Sequence, residues 1–180
     1  MMPRKPRINL VGIPQHIVQR GNNREACFYA EEDYRRYLDN LQTSAKKYDC
    51  RIHAYVLMTN HVHILATPMT EHGVSEMMQT VGRRFVYYMN KTYKRTGTLW
   101  EGRFKSSLVD SDCYLFTCMR YIELNPVRAS MVDHPSEYKW SRYHTNGLGE
   151  TNSLIENHPL YVALDSAFDS RLYELIGVRE

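Results

Sequence analysis

Arg51-Ile-His-Ala-Tyr-Val-Leu-Met-Thr-Asn-His-Val-His-Ile-Leu-Ala66 is the stretch whose reading decides the fold. Successive side chains of a strand point to opposite sides, and residues 51–58 alternate well enough for one, with Ile52, Ala54, Val56 and Met58 on a common face. Thr59-Asn60 is a two-residue break. Residues 61–66 alternate again, so the segment predicts a hairpin, which Pro68 ends.

Working outward, Gln15–Arg20 predicts a short strand that stops at the turn Gly21-Asn22-Asn23. Residues 31–48 predict a helix, with Tyr34, Tyr37, Leu38, Leu41 and Ala45 near helical spacing. Residues 73–94 predict a long helix rich in Met, Phe and Tyr. A loop over 96–103 contains Gly97 and Gly102, and 103–109 predicts a fourth strand. Asp110, Ser111 or Asp112 caps a further helix running to about Asn125. The order strand, helix, strand, strand, helix, strand predicts an α+β chain with a ferredoxin-like βαββαβ core: a four-stranded antiparallel sheet backed by two helices, with one additional helix after the fourth strand. Residues 1–130 are expected to form this domain. Residues 131–180 are expected to be a C-terminal extension of loops and short helices packed on it. The architecture alone implies no function.

The 180 residues suit one core, and no apolar run approaches the ~20 residues of a membrane span. Arg4, Lys5 and Arg7 are not followed by an apolar stretch, so no secretory signal is read, and a cytoplasmic chain is expected. Cys27, Cys50, Cys113 and Cys118 form no CxxC pair and are expected to be reduced, with Cys118 in a core. Net charge is only +3, but basic residues gather at 4–7, 20–24, 83–84, 91–95 and 103–105. Segregated charge of this kind can present a basic face or form an ordinary solvated surface; charge alone leaves both readings open.

His61-Val62-His63 places two imidazoles on one side of a strand and Val62 and Ile64 on the other. Two neutral imidazoles aimed at one point can ligate a metal; two polar residues on an exposed strand face are the plainer alternative. In the last predicted helix, Leu115, Cys118, Met119 and Ile122 make an apolar stripe, and Tyr121 and Asn125 are neighbours beside it. Pro126 disfavours helical geometry at Asn125, so Tyr121 falls in the last turn, within reach of a large substrate. Tyr114 is the alternative reactive tyrosine on that side. His16 and His53 also fall on strands, but neither has a partner at ligand spacing.

Read together, these residues suit phosphodiester chemistry. A tyrosine hydroxyl with a pKa near 10 is a weak nucleophile at neutral pH and needs a polarised phosphate to attack. A divalent ion supplies that polarisation. His61, His63 and the Asn125 amide oxygen make a mixed nitrogen and oxygen donor set that suits Mg²⁺ or Mn²⁺.

The same blocks resemble the single-tyrosine transposases of the histidine–hydrophobic–histidine superfamily, in particular the REP-associated tyrosine transposases. The matching stretches are His16 to Asn22, Met58 to Ile64, Leu99 to Phe104, Tyr121 to Ala129, and Trp140-Ser141. The resemblance implies Tyr121 as nucleophile, His61, His63 and Asn125 as metal ligands, and a covalent 5′-phosphotyrosine intermediate. It also implies single-stranded DNA carrying a hairpin as substrate. Arg20, Asn22, Arg24, Arg83, Arg84, Arg103 and Lys105 are the candidate DNA contacts. Homodimeric and monomeric forms are both compatible with this reading. A water-activating nuclease at the two histidines, and a non-catalytic nucleic-acid-binding module, are the alternatives.

Overall fold

Val62, Ile64 and Ala66 turn one way from the third strand and His61, His63 and Leu65 the other, and this division organises the molecule. The computed structural model describes residues 10–148 and 152–167. Its elements are β1 (Gln15–Arg20), α1 (Glu31–Lys47), β2 (Cys50–Leu57), β3 (His61–Pro68), α2 (Gly73–Thr92), β4 (Lys105–Leu108) and α3 (Asp112–Glu123), followed by α4 (Asn125–Arg128), α5 (Tyr143–Leu148) and α6 (Pro159–Ala167). The four strands pair antiparallel in the order β2-β3-β1-β4. This is the expected ferredoxin-like arrangement: the crossover through α1 leaves a gap beside β1, and β3 fills it.

Both chain-adjacent helices cover one face. Tyr37 and Leu41 of α1, with Met77, Val81, Phe85 and Met89 of α2, bury themselves against Ile17, Val62, Ile64 and Ala66. The spacings of three and four along each helix keep these side chains on one stripe. The start of α1 is held by Asp33, whose Oδ2 accepts from the N–H groups of Tyr29 and Ala30 at 2.8 and 3.0 Å.

On the opposite face α3 lays Leu115, Cys118, Met119 and Ile122 over Ala54, Val56, Met58 and Leu65. It covers only the β2 and β3 half of the sheet. Over β1 and β4, Val18 is half-buried and Lys105 and Ser107 are exposed, which leaves an open shelf beside α3.

The structure departs from the expected elements at four points. Ile52 does not share a face with Ala54, Val56 and Met58. A β-bulge falls between Ile52 and Ala54, with His53 the extra residue, so Ile52 packs with α1 and α2 while the other three face α3. The second long helix ends at Thr92 instead of 94. The fourth strand is Lys105–Leu108, so Arg103 lies in the preceding loop. Finally, α3 stops at Glu123 with Leu124 as its cap, and Pro126 opens the separate turn α4, where its missing N–H costs nothing.

Beyond α4 the chain returns along the free edge of β2. Leu57 N–H donates to Trp140, Arg142 N–H to Tyr55 and Glu156 N–H to Ile52. These bonds occupy polar groups that a bare edge strand would expose. The basic residues Arg4, Lys5 and Arg7, and residues 149–151 and 168–180 of the extension, lie outside the described residues. All four cysteines are free thiols and Cys118 is buried. Among the described residues no helix is long and apolar enough to cross a membrane.

Candidate active site

β3 delivers His61 and His63 to the face under α3, with ring centroids 5.0 Å apart and planes at 79°. His61 follows directly from the turn. Its Nδ1 lies 2.7 Å from Asn60 Oδ1, and Asn60 Nδ2 donates to the Arg24 carbonyl at 2.9 Å. Asn60 Oδ1 can only accept, so Nδ1 of His61 carries the proton and Nε2 keeps its lone pair. Gly21 locks this turn from below. Its N–H donates to the Asn60 carbonyl at 2.8 Å, and any Cβ there would run into the Glu25 carbonyl.

Burial holds both imidazoles neutral. His63 is 5% exposed, and desolvation, reinforced by His16, His61 and Arg20, pushes its pKa down to about 3. Desolvation and then Arg20 also lower His61, while the Asn125 side-chain oxygen, an acceptor that favours the charged ring, works the other way. A neutral imidazole is the form that ligates a metal.

Tyr121 sits in the last turn of α3 with its ring edge-on to His63 at 5.5 Å and to His16 at 6.0 Å. The residue remains 38% exposed, at the surface where a large substrate can approach. Tyr114, two helical turns earlier, is exposed and makes no such ring contact. Asn125 is buried at the start of α4, with its side chain close enough to His61 to influence its protonation. The structure therefore brings His61, His63, Tyr121 and Asn125 into one site, although the latter two belong to different helices.

Two further residues enter the site that the sequence reading passed over. His16, read there as having no partner, lies across from β3. Its Nε2 is 2.9 Å from His63 Nδ1, and the two rings lie nearly coplanar, at 18° with centroids 5.1 Å apart. The Val18↔His63 register decides this contact, and no spacing within β1 announces it. Arg128 of α4 places its guanidinium 5.3 Å from the centre of the Tyr121 ring. The other strand histidine, His53, is a satisfied core residue: Nε2 meets Thr67 Oγ1 and Nδ1 meets the Glu156 carbonyl, each at 2.7 Å.

The basic candidates divide between the two faces. Arg20 pairs with His61 and Lys105 with Val18, so both stand on the histidine side, exposed. Asn22 and Arg24 lie in the turn after β1, where the Arg24 carbonyl accepts from Asn60. Arg83 and Arg84 are exposed on α2, which covers the opposite face. Arg103 lines a cleft with Gln19, Glu76 and Gln79 on that same far side.

This geometry agrees with what comparison with known proteins finds. Residues 10–125 match the model of the family described as "Transposase IS200 like", and the chain belongs to that transposase family. Among solved structures, the fold is similar to that of a REP-associated tyrosine transposase bound to a REP hairpin, at a TM-score of 0.70 and 17% identity, over 87% of this chain and 93% of that one. A putative transposase from Deinococcus radiodurans R1 also matches, at 18% identity and a TM-score of 0.46, over 68% of this chain and 95% of that one. Comparison with curated proteins finds no match.

Proposed function

We propose that this transposase cuts and rejoins single-stranded DNA beside a hairpin, with Tyr121 as nucleophile. The observation that carries this reading is the exposed Tyr121 ring set edge-on against the buried His63, in one site with His61 and Asn125. His61, His63 and the Asn125 amide oxygen would hold a divalent ion, Mg²⁺ or Mn²⁺. The residues fit it: burial favours the neutral form of both imidazoles, and Nε2 of His61, the nitrogen not engaged by Asn60, is left for a metal beside Asn125. Among the described residues no three His, Cys, Asp or Glu side chains are grouped to hold a metal by themselves, and the Asn125 amide oxygen is the third protein ligand in this reading. When bound, the ion supplies Lewis-acid polarisation of the scissile phosphate.

The chain's own residues do the rest. Tyr121 Oη attacks phosphorus in line, the Oη–P bond forms, and the bond from phosphorus to the 3′ oxygen breaks. The hydroxyl proton leaves Tyr121, and the departing 3′ oxygen takes up a proton. The products are a 5′-phosphotyrosine and a free 3′ hydroxyl. A phosphodiester bond is exchanged and not hydrolysed, so another 3′ hydroxyl can displace Tyr121 and seal a new junction. Arg128 holds the ring and offers a guanidinium to the phosphate. Arg20 and Lys105 stand on the same face for neighbouring phosphates.

The similar transposase solved with a REP hairpin is the ground for testing a hairpin with a single-stranded flank. The experiment is a denaturing gel of 5′- and 3′-labelled hairpin DNAs with Mn²⁺, comparing the chain with Tyr121→Phe. A labelled band at protein size, absent in the variant and in chelator, is expected. Cleavage that survives Tyr121→Phe without an adduct would replace this reading with a water-activating nuclease. Tight binding of several hairpins with no cleavage of any would replace it with a binding module.

A further inference from the structure

His61 and His63 meet their neighbours in the same way. In each ring the Nδ1 atom is engaged by a group behind it: Asn60 Oδ1 at 2.7 Å for His61, and His16 Nε2 at 2.9 Å for His63. The Asn60 contact has only one possible polarity. The His16 contact has two, because either ring nitrogen can hold the shared proton. If His16 donates, His63 is left with its proton on Nε2, the nitrogen not engaged by His16. If His63 donates, Nε2 of His63 keeps a lone pair, matching Nε2 of His61.

We propose that His16 is a positioning residue that accepts the Nδ1–H of His63, fixing the less common imidazole tautomer and aiming Nε2 of His63 at the metal site. The nearly coplanar, edge-to-edge geometry suits such a bond. The His16 ring lies nearly parallel to that of His63, at 18° and 5.1 Å between centroids, so the contact restrains ring rotation as well as tautomer. The hydrogen-bonded nitrogens point at each other and not at a common third atom, which separates His16 from the ligands themselves. His16 sits on β1 in the register that sets Val18 opposite His63, so the rigid centre of the sheet holds the pair. Outer hydrogen bonds of this kind orient metal-binding histidines generally, and their loss typically weakens metal affinity about 10–100-fold.

This inference rests on the reading of His63 as a metal ligand, and the test separates the two. Long-range ¹H–¹⁵N correlation spectra of histidine-labelled, metal-free protein at pH 7 report which nitrogen of His63 is protonated. Mn²⁺ affinity is then read from the electron paramagnetic resonance signal of free Mn²⁺. The expected results are an Nδ1–H tautomer for His63 in the wild type and its loss in His16→Ala. Mn²⁺ affinity falls about 10–100-fold in that variant and recovers largely in His16→Gln, whose amide oxygen can accept the same proton. An Nε2–H tautomer in wild-type protein that nevertheless binds Mn²⁺ would overturn the role given to His16 and leave the metal reading standing. An Nδ1–H tautomer in protein that binds no Mn²⁺ would support the orientation and overturn the metal reading. The wild-type spectrum decides the tautomer even if His16→Ala does not fold.

Discussion

Arg128 lies with its guanidinium carbon 5.3 Å from the centre of the Tyr121 ring, so α4 reaches back over the last turn of α3. A planar cation stacked on an aromatic face restrains the ring and stays available to a phosphate. Arg128→Ala is therefore expected to slow covalent adduct formation about 100–1000-fold, the scale of losing one positioned transition-state donor. Arg128→Lys should recover only part, because an ammonium neither stacks as flat nor binds a phosphate bidentately. Single-turnover rates on a labelled hairpin test this; an unchanged rate in Arg128→Ala would remove the residue from the chemistry.

The two faces of the sheet make a second prediction. Lys105 shares the histidine face, whereas Arg84 projects from α2 on the other side. A lysine that neutralises one phosphate of a single strand contributes about 0.7 to the slope of log affinity against log salt. Lys105→Ala should lower that slope by about 0.7 for a short single strand spanning the cleavage position. Arg84→Ala should leave it unchanged. Equal effects would mean that the strand does not run along the shelf over β1 and β4.

His53 predicts how stability depends on pH. It is buried on the β2 bulge, and desolvation lowers its pKa to about 4, with His158, Arg142 and Arg51 adding to the fall and the Glu156 carbonyl opposing it. The folded chain thus keeps His53 neutral where the unfolded chain, at about 6.5, takes a proton. The contribution is fully present above pH 6.5 and is lost as pH falls toward 4, on the order of 3 kcal/mol in total. Urea midpoints of the chain and of His53→Gln between pH 7 and 5 should show a steeper decline in the native sequence. Parallel curves would mean that His53 is not the proton-linked group.

Asp33 ties the entrance of α1 to the end of α2. Besides its two backbone contacts, Oδ1 accepts from Tyr88 and Oδ2 from Tyr93, each at 2.8 Å, and the side chain is fully buried. Four hydrogen bonds to a charged group make Asp33→Ala costly, on the order of 4 kcal/mol. Tyr93→Phe removes a single one, at about 1–2 kcal/mol. Thermal melts should rank the variants in that order, with the alanine substitution lowering the midpoint by roughly 10 °C. A Tyr93→Phe loss as large as that of Asp33→Ala would point to ring packing instead.

The element order and the pairing of His61 with His63 were legible from local pattern, because strand alternation and helical periodicity are properties of neighbouring residues. The bulge at His53 was not. A one-residue insertion in the ladder leaves no mark in apolar and polar alternation, and it moved Ile52 to the opposite core. Nor could composition sort the basic residues by face, since Arg103 and Lys105 are two apart in sequence but separated by where β4 begins.

By itself the sequence determined the strand and helix order, the shared side of His61 and His63, and Tyr121 near a helix end, although Asn125, expected to leave helical geometry before Pro126, opens α4. These follow from steric rules acting over one to four residues. Only the tertiary structure decided that His16 backs His63 and that α3 covers half a sheet face. It alone set Arg128 over the Tyr121 ring and joined Asn125 to His61. Those relationships depend on which register of β1 against β3, and which seat of α3, buries the most apolar surface with every strand hydrogen bond made. That choice is settled by the whole core at once.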